Sequence, residues 1–124
     1  MTKRILVVED QEDLRGVLRD LLTGSGFEVA EAADGQAGVA KAKSERPDLI
    51  LMDIQLPGID GYEASRQIKA DPDLQATPII AVSSLAMKGD EEKARASGCD
   101  DYVTKPYSPM QLLRLIRGHL REGK

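Results

Sequence analysis

Tryptophan is absent from the chain, phenylalanine occurs once and tyrosine three times. So few aromatic rings leave no base-stacking platform for single-stranded nucleic acid. Cysteine occurs once, at Cys99, which rules out an internal disulfide and fits a reducing cytosol. Beside Gly98, Cys99 reads as a small, semi-buried residue rather than a reactive thiol. No block of lysine and arginine stands out and the net charge is −4, which argues against a general nucleic-acid surface. No apolar run approaches the roughly 18 residues of a membrane span. The basic start Met1-Thr2-Lys3-Arg4 leads into Ile5-Leu6-Val7-Val8, and that run halts at Glu9-Asp10, too soon for a secretory leader. Internal repeats and low-complexity stretches are missing too. These absences leave a cytoplasmic chain with neither nucleic acid nor membrane as partner.

What remains is 124 residues, 41% of them hydrophobic, enough for a single core over residues 1–124. Short apolar runs alternate with segments of helical period. The runs Ile5–Val8, Phe27–Ala30, Leu49–Met52, Ile79–Val82 and Asp101–Thr104 read as strands. Between the first two, Leu14, Val17, Leu18, Leu21 and Leu22 mark one helix face, which Gly24 or Gly26 can end. Residues 35–45 are alanine-rich and helix-prone until Pro47 stops them. Asp60 can cap a helix from Gly61 to about Ala70, broken by Asp71-Pro72-Asp73. Lys88–Ala96 is a short charged helix, read as a solvated face, and Gly98 closes it. Met110, Leu113, Ile116 and Leu120 mark the inner face of a last helix. Five β-α units in succession predict an α/β fold: a parallel sheet with helices on both faces and right-handed crossovers.

In such sheets ligands bind beyond the carboxyl ends of the strands. Glu9 and Asp10 follow the first strand, Asp53 ends the third, Ser83 and Ser84 follow the fourth, and Lys105-Pro106 follow the fifth. Each alone has a bland reading. Acids after strands cap helices or make turns, serines satisfy backbone groups, and a lysine before proline is a surface turn residue. Together they gather three carboxylates, hydroxyls and an amine at one sheet edge. Carboxylates about 4 Å apart repel by roughly 4 kcal/mol per pair at an effective dielectric of 20. A hard divalent cation with oxygen ligands relieves that repulsion, which points to Mg²⁺. A carboxylate beside such an ion can act as a covalent nucleophile toward a phosphoryl group.

The segments Val7-Val8-Glu9-Asp10, Leu51–Gly61, Val82-Ser83-Ser84 and Asp101–Pro106, in this order, resemble the receiver domain of two-component response regulators. The resemblance runs from Lys3 to about Leu120. It implies a flavodoxin-like doubly wound sheet in the order 2-1-3-4-5 with five helices. Asp53 would be the phosphoacceptor. Asp10 would bind Mg²⁺ directly, Glu9 mainly through water, and the carbonyl of Gln55 would be a further ligand. Ser83 and Lys105 would contact the phosphoryl group, Ser84 and Pro106 would border its pocket, and the bond before Pro106 would be cis. Tyr102 would turn inward together with Ser83 as the switch. The donor would be a sensor histidine kinase or a histidine phosphotransfer protein, which Leu14, Pro106 or Tyr107 could touch. A downstream protein would read the Lys88–Ala96 helix, the Tyr102 strand and the last helix, and a phosphorylation-dependent dimer is a further partner. No output domain and no enzymatic activity beyond the domain's own phosphoryl transfer and hydrolysis are expected.

Some positions depart from the family pattern. Ser84 stands where alanine is usual, and Ile59 where methionine is frequent. Gln55 and Leu85 flank the expected path of a hydrolytic water, and Leu85 cannot orient one, so slow loss of the phosphoryl group is expected. A decay far faster than that of Leu85→Glu would contradict this. Three rivals stay open. An aspartate-nucleophile phosphatase is disfavoured by Gln55, which stands where a second acid would serve. A non-phosphorylated scaffold is disfavoured because every site residue is present, and a flavin binder by the acids. His119, the only histidine, reads as solvated and without a role.

Overall fold

The computed structural model describes residues 2–84 and 89–122, without the side chains of the last two. The order is β1 Arg4–Val8, α1 Glu12–Gly24, β2 Glu28–Ala32, α2 Gly35–Glu45, β3 Leu49–Asp53, α3 Gly61–Lys69, β4 Ile79–Ser83, α4 Asp90–Ala96, β5 Asp101–Thr104 and α5 Pro109–Glu122. The five strands form one parallel sheet in the order β2-β1-β3-β4-β5, the fold that the resemblance implies. Leu85 and Lys88, which bear on the hydrolytic path and on the start of α4, lie outside the described residues.

Every residue of β3 and β4 is buried, as central strands covered on both faces must be. Strand alternation sorts their side chains into two layers. Ile5, Val7, Leu49, Leu51, Ile80 and Val103 pack with Leu18 and Leu22 of α1 and Leu112, Leu113 and Ile116 of α5. Leu6, Val8, Ile50, Met52, Ile79 and Ala81 pack on the other side, against α2, α3 and Ala94 of α4. Aspartates cap the starts of α2 and α3. The Asp34 carboxylate accepts from the N–H of Ala37 at 2.7 Å, and that of Asp60 from the N–H of Glu63 at 2.9 Å, each satisfying a donor that the first helical turn leaves unpaired.

Three expectations need correction. β2 begins one residue later and ends two residues later than Phe27–Ala30. It is an edge strand, so Glu28 and Glu31 can lie in it with their carboxylates held by arginines. Met110 is 68% exposed, while Leu112 is fully buried. Because α5 starts at Pro109, Met110 sits in its first turn and the inner stripe is Leu112, Leu113 and Ile116. His119 is not free in solvent, because its Nε2 lies 3.0 Å from Asp101 Oδ2, tying α5 to β5. The charged face of α4 is exposed as expected at Glu91, Glu92, Lys93 and Arg95, with the Lys93 ammonium 4.8 Å from the centre of the Tyr62 ring and Arg95 paired with Glu91 at 3.2 Å. Cys99 is buried against Ser65, and burial pushes its thiol up from its ordinary pKa, which fits the structural reading.

Candidate functional site

Alternation along the strands decides which side chains meet at the carboxyl edge. In β1 the residues Ile5 and Val7 share one layer, and two residues on comes Glu9. In β3 the series is Leu49, Leu51, Asp53, and in β5 it is Val103, Lys105. A period of two therefore brings an acid, an acid and an amine to the same side of the sheet. The parallel pairing of Val8 with Met52 fixes β1 and β3 in register at that edge.

The three groups meet. Lys105 Nζ lies 3.1 Å from Glu9 Oε1 and 3.5 Å from Asp53 Oδ2. Glu9 and Asp53 are 3% and 5% exposed. Asp10 is exposed, and one carboxylate oxygen from each of Glu9, Asp10 and Asp53 lies within 4.8 Å of the others. Burial alone would lower the Lys105 ammonium. The charges of Asp53 and Glu9, with their hydrogen bonds, outweigh it and hold the pKa above the ordinary lysine range. Three carboxylates facing one ammonium leave net negative charge in a partly buried edge. This donor set, hard oxygens with an open and exposed side at Asp10, fits a divalent cation of the Mg²⁺ type. Glu9, Asp10 and Asp53 could hold it.

The two buried acids are further oriented. Asp53 Oδ1 accepts from the N–H of Gln55 at 3.0 Å. Glu9 Oε2 accepts from the N–H of Gln11 at 3.0 Å, and the N–H of Glu9 donates to the carbonyl of Ala32 at 3.0 Å. The loop after β3 can turn this tightly because residue 61 is glycine. A Cβ there would lie 2.3 Å from the Asp53 carbonyl oxygen and 2.7 Å from Ile54 Cα.

A sequence profile of the response regulator receiver domain matches residues 5–117. The chain belongs to that family. The receiver is 42% identical over 123 residues to the polar-differentiation response regulators DivK of Brucella ovis and Brucella abortus, covering 99% of the chain and 100% of each relative. Among solved structures it superposes at a TM-score of 0.89, with 37% identity, on the receiver domain of a sensor histidine kinase from Pseudomonas aeruginosa PAO1. The match covers 97% of the chain and 98% of that domain, whose active-site cleft holds a magnesium ion. A CheY-like receiver domain protein from Methanospirillum hungatei JF-1 matches at a TM-score of 0.90 with 32% identity, covering 98% and 96% of the two chains.

The other residues singled out in the sequence line the receiver's same edge. Ser83, buried, ends β4, and its backbone carbonyl accepts from the N–H of Lys105 at 2.7 Å. Ser84 is exposed. Its N–H and Oγ both donate to Gln55 Oε1, at 3.2 and 2.8 Å, so the Gln55 side chain spans from the loop after β3 to the end of β4. The Lys105–Pro106 bond is cis. Tyr102 packs against the α2–α3–α4 layer, opposite Ala81 of β4. A cavity bordered by Glu9, Leu14, Lys105, Pro106 and Tyr107 opens beside the acids, and Leu14 and Val17 are exposed on α1 next to it. Arg15 of α1 bonds the carbonyl of Glu9, and Glu31 of β2 holds Arg15; neither stands out in the sequence. Their only signal was an arginine five residues beyond the acidic pair.

Proposed function

We propose that Asp53 accepts a phosphoryl group from a phosphorylated histidine of a sensor kinase or a histidine phosphotransfer protein. The single observation behind this reading is the buried Asp53 carboxylate set within reach of Lys105 and the Glu9–Asp10 pair. Transfer forms an Asp53 O–P bond as the P–N bond of the donor breaks, and the electron pair returns to the imidazole nitrogen. Glu9, Asp10, Asp53 and the backbone carbonyl of Gln55 would hold Mg²⁺, which when bound offsets negative charge on the phosphoryl oxygens. The bound magnesium of the Pseudomonas aeruginosa neighbour supports that assignment. Lys105, whose ammonium lies 3.5 Å from Asp53 Oδ2, would pair with a phosphoryl oxygen, and Ser83 supplies a hydroxyl. Ser84 and Pro106 border the pocket. The chain turns over no external substrate beyond its own phosphorylation and hydrolysis, and it works in the cytoplasm, where its donors are.

Phosphorylation adds about −1.5 to −2 charge and three strong acceptors. Lys105 and Ser83 gain a partner that only the phosphorylated state offers, and such a differential contact shifts a conformational equilibrium. Tyr102 follows Ser83, and the surface of α4, β5 and α5 carries the change to a protein partner. Exposed Leu14 and Val17, beside the cavity at Pro106 and Tyr107, suit the apolar face of a donor helix.

Asp53 tests the nucleophile, as argued in the Discussion. Lys105→Met separates charge from chemistry. Removing the ammonium deepens the negative field of the three acids, so Mg²⁺ binds more tightly. Transfer loses a pre-placed cation, and the rate of phosphoryl uptake from acetyl phosphate falls roughly 100-fold. Calorimetric Mg²⁺ titration and a time course of intact mass read the two effects. Unchanged uptake would remove Lys105 from the mechanism.

A further inference from the structure

Glu9 is held at four points, and one of them comes from outside the strand edge. Its N–H donates to Ala32, its Oε1 meets Lys105, and its Oε2 accepts from Gln11. The fourth is its backbone carbonyl, which accepts from Arg15 Nη1 at 2.9 Å. Arg15 is itself fixed: its Nε donates to Glu31 Oε1 at 3.1 Å, and its side chain is 17% exposed. Glu31 in turn is held by Arg19 Nη1 at 3.3 Å. An edge strand, a helix and the turn that carries two acids are thus joined through one guanidinium.

We propose that Arg15 is a positioning residue for the Mg²⁺ site, locking the Glu9–Asp10 turn, and that Glu31 both orients Arg15 and cancels its charge. The inference rests on the metal reading above. Two arguments favour it over a plain helix-to-strand staple. The guanidinium bonds the main chain of a proposed ligand rather than any distant group, so its loss frees the turn that aims both acids. And an uncompensated cation beside a cation site would oppose the ion by simple Coulomb repulsion. Glu31, bonded to Arg15 through Nε while Nη1 bonds Glu9, offsets that charge; Arg19, which shares the Glu31 carboxylate, has Asp20 at 3.8 Å as a second acid.

The two effects of Arg15 carry opposite signs, which makes the test decisive. If Arg15 acted only through charge, Arg15→Met would tighten Mg²⁺ binding. If it positions the turn, the same change weakens binding, by the 10-fold or more common when groups supporting a metal ligand are removed. Arg15→Lys, which can reach one partner but not both, recovers part of the loss. Glu31→Gln retains an acceptor for Arg15 but leaves its charge uncancelled, so Mg²⁺ weakens there also, with a steeper salt dependence. Calorimetric titration gives the affinities. Amide hydrogen exchange on the metal-free protein gives an independent readout, and the Gln11 N–H should exchange at least 10-fold faster in Arg15→Met. Unchanged or tighter Mg²⁺ binding in Arg15→Met, or a lowered melting point alone, would overturn the proposal. A wild-type protein that binds no Mg²⁺ sinks the metal reading by itself, and Gln11 exchange then decides the pin: faster in the variant if it holds, unchanged if it does not.

Discussion

Asp53→Asn takes up no phosphoryl group from acetyl phosphate in Mg²⁺, whereas the wild type gains one. The amide keeps the shape of the side chain and can still accept the 3.0 Å hydrogen bond from Gln55. The fold therefore survives, and the difference reports the loss of the carboxylate, as nucleophile and as proposed Mg²⁺ ligand. An amide oxygen is a far poorer nucleophile than a carboxylate, so the expected effect is complete loss. Intact-protein mass spectrometry reads it directly. Asp53→Asn should also remove one of the two charges that face Lys105 Nζ, leaving the ammonium to Glu9. An adduct that persists in Asp53→Asn would place the acceptor elsewhere and break the proposed mechanism.

Gly61→Ala costs about 3 kcal/mol of stability, lowering the melting midpoint by roughly 10 °C. The added Cβ would lie 2.3 Å from a carbonyl oxygen and 2.7 Å from a Cα. These are backbone atoms of Asp53 and Ile54, which cannot rotate away as a flexible side chain would. Either α3 shifts outward or the end of β3 bends, and Asp53 stands at that end. Uptake at Asp53 should consequently slow even below the new melting point. Thermal unfolding followed by circular dichroism checks the first effect and the mass time course the second. An unaltered midpoint would mean that the loop is far more compliant than its geometry allows.

Much of this was legible in the residues. The limits of α2 follow from Pro47 and the helix-forming run before it, although its apolar pattern is weak, because a proline removes a donor and clashes with the preceding turn. The acids were legible because ionised side chains directly after buried strands demand a partner. β2 was read short because Glu31 interrupts the apolar run. Only the tertiary fold supplies Arg15 and Arg19 to hold that carboxylate at an edge. Met110 was taken for a core residue because it falls on the same helical period as Leu113. Met110 nonetheless lies in the first turn of α5 and stays exposed, and Leu112, one position before Leu113, takes the inner place. His119 looked solvated because nothing local reveals Asp101, a strand neighbour 18 residues earlier. Gln55 was expected to act through its carbonyl, and its side-chain bonds to Ser84 depend on how closely two loops approach.

The parity of the strands has a consequence for how a message travels. Glu9, Asp53 and Lys105 continue the positions that pack toward α1 and α5, while Tyr102 and the register of Ser83 belong with Ile79 and Ala81 on the opposite layer. The carboxylates and Tyr102 thus occupy different rooms separated by one thickness of sheet, and on the proposed mechanism the end of β4, at Ser83, is the doorway between them. Of the surface proposed to meet a downstream partner, α5 alone packs in the room of the carboxylates, and α4 and Tyr102 lie in the other.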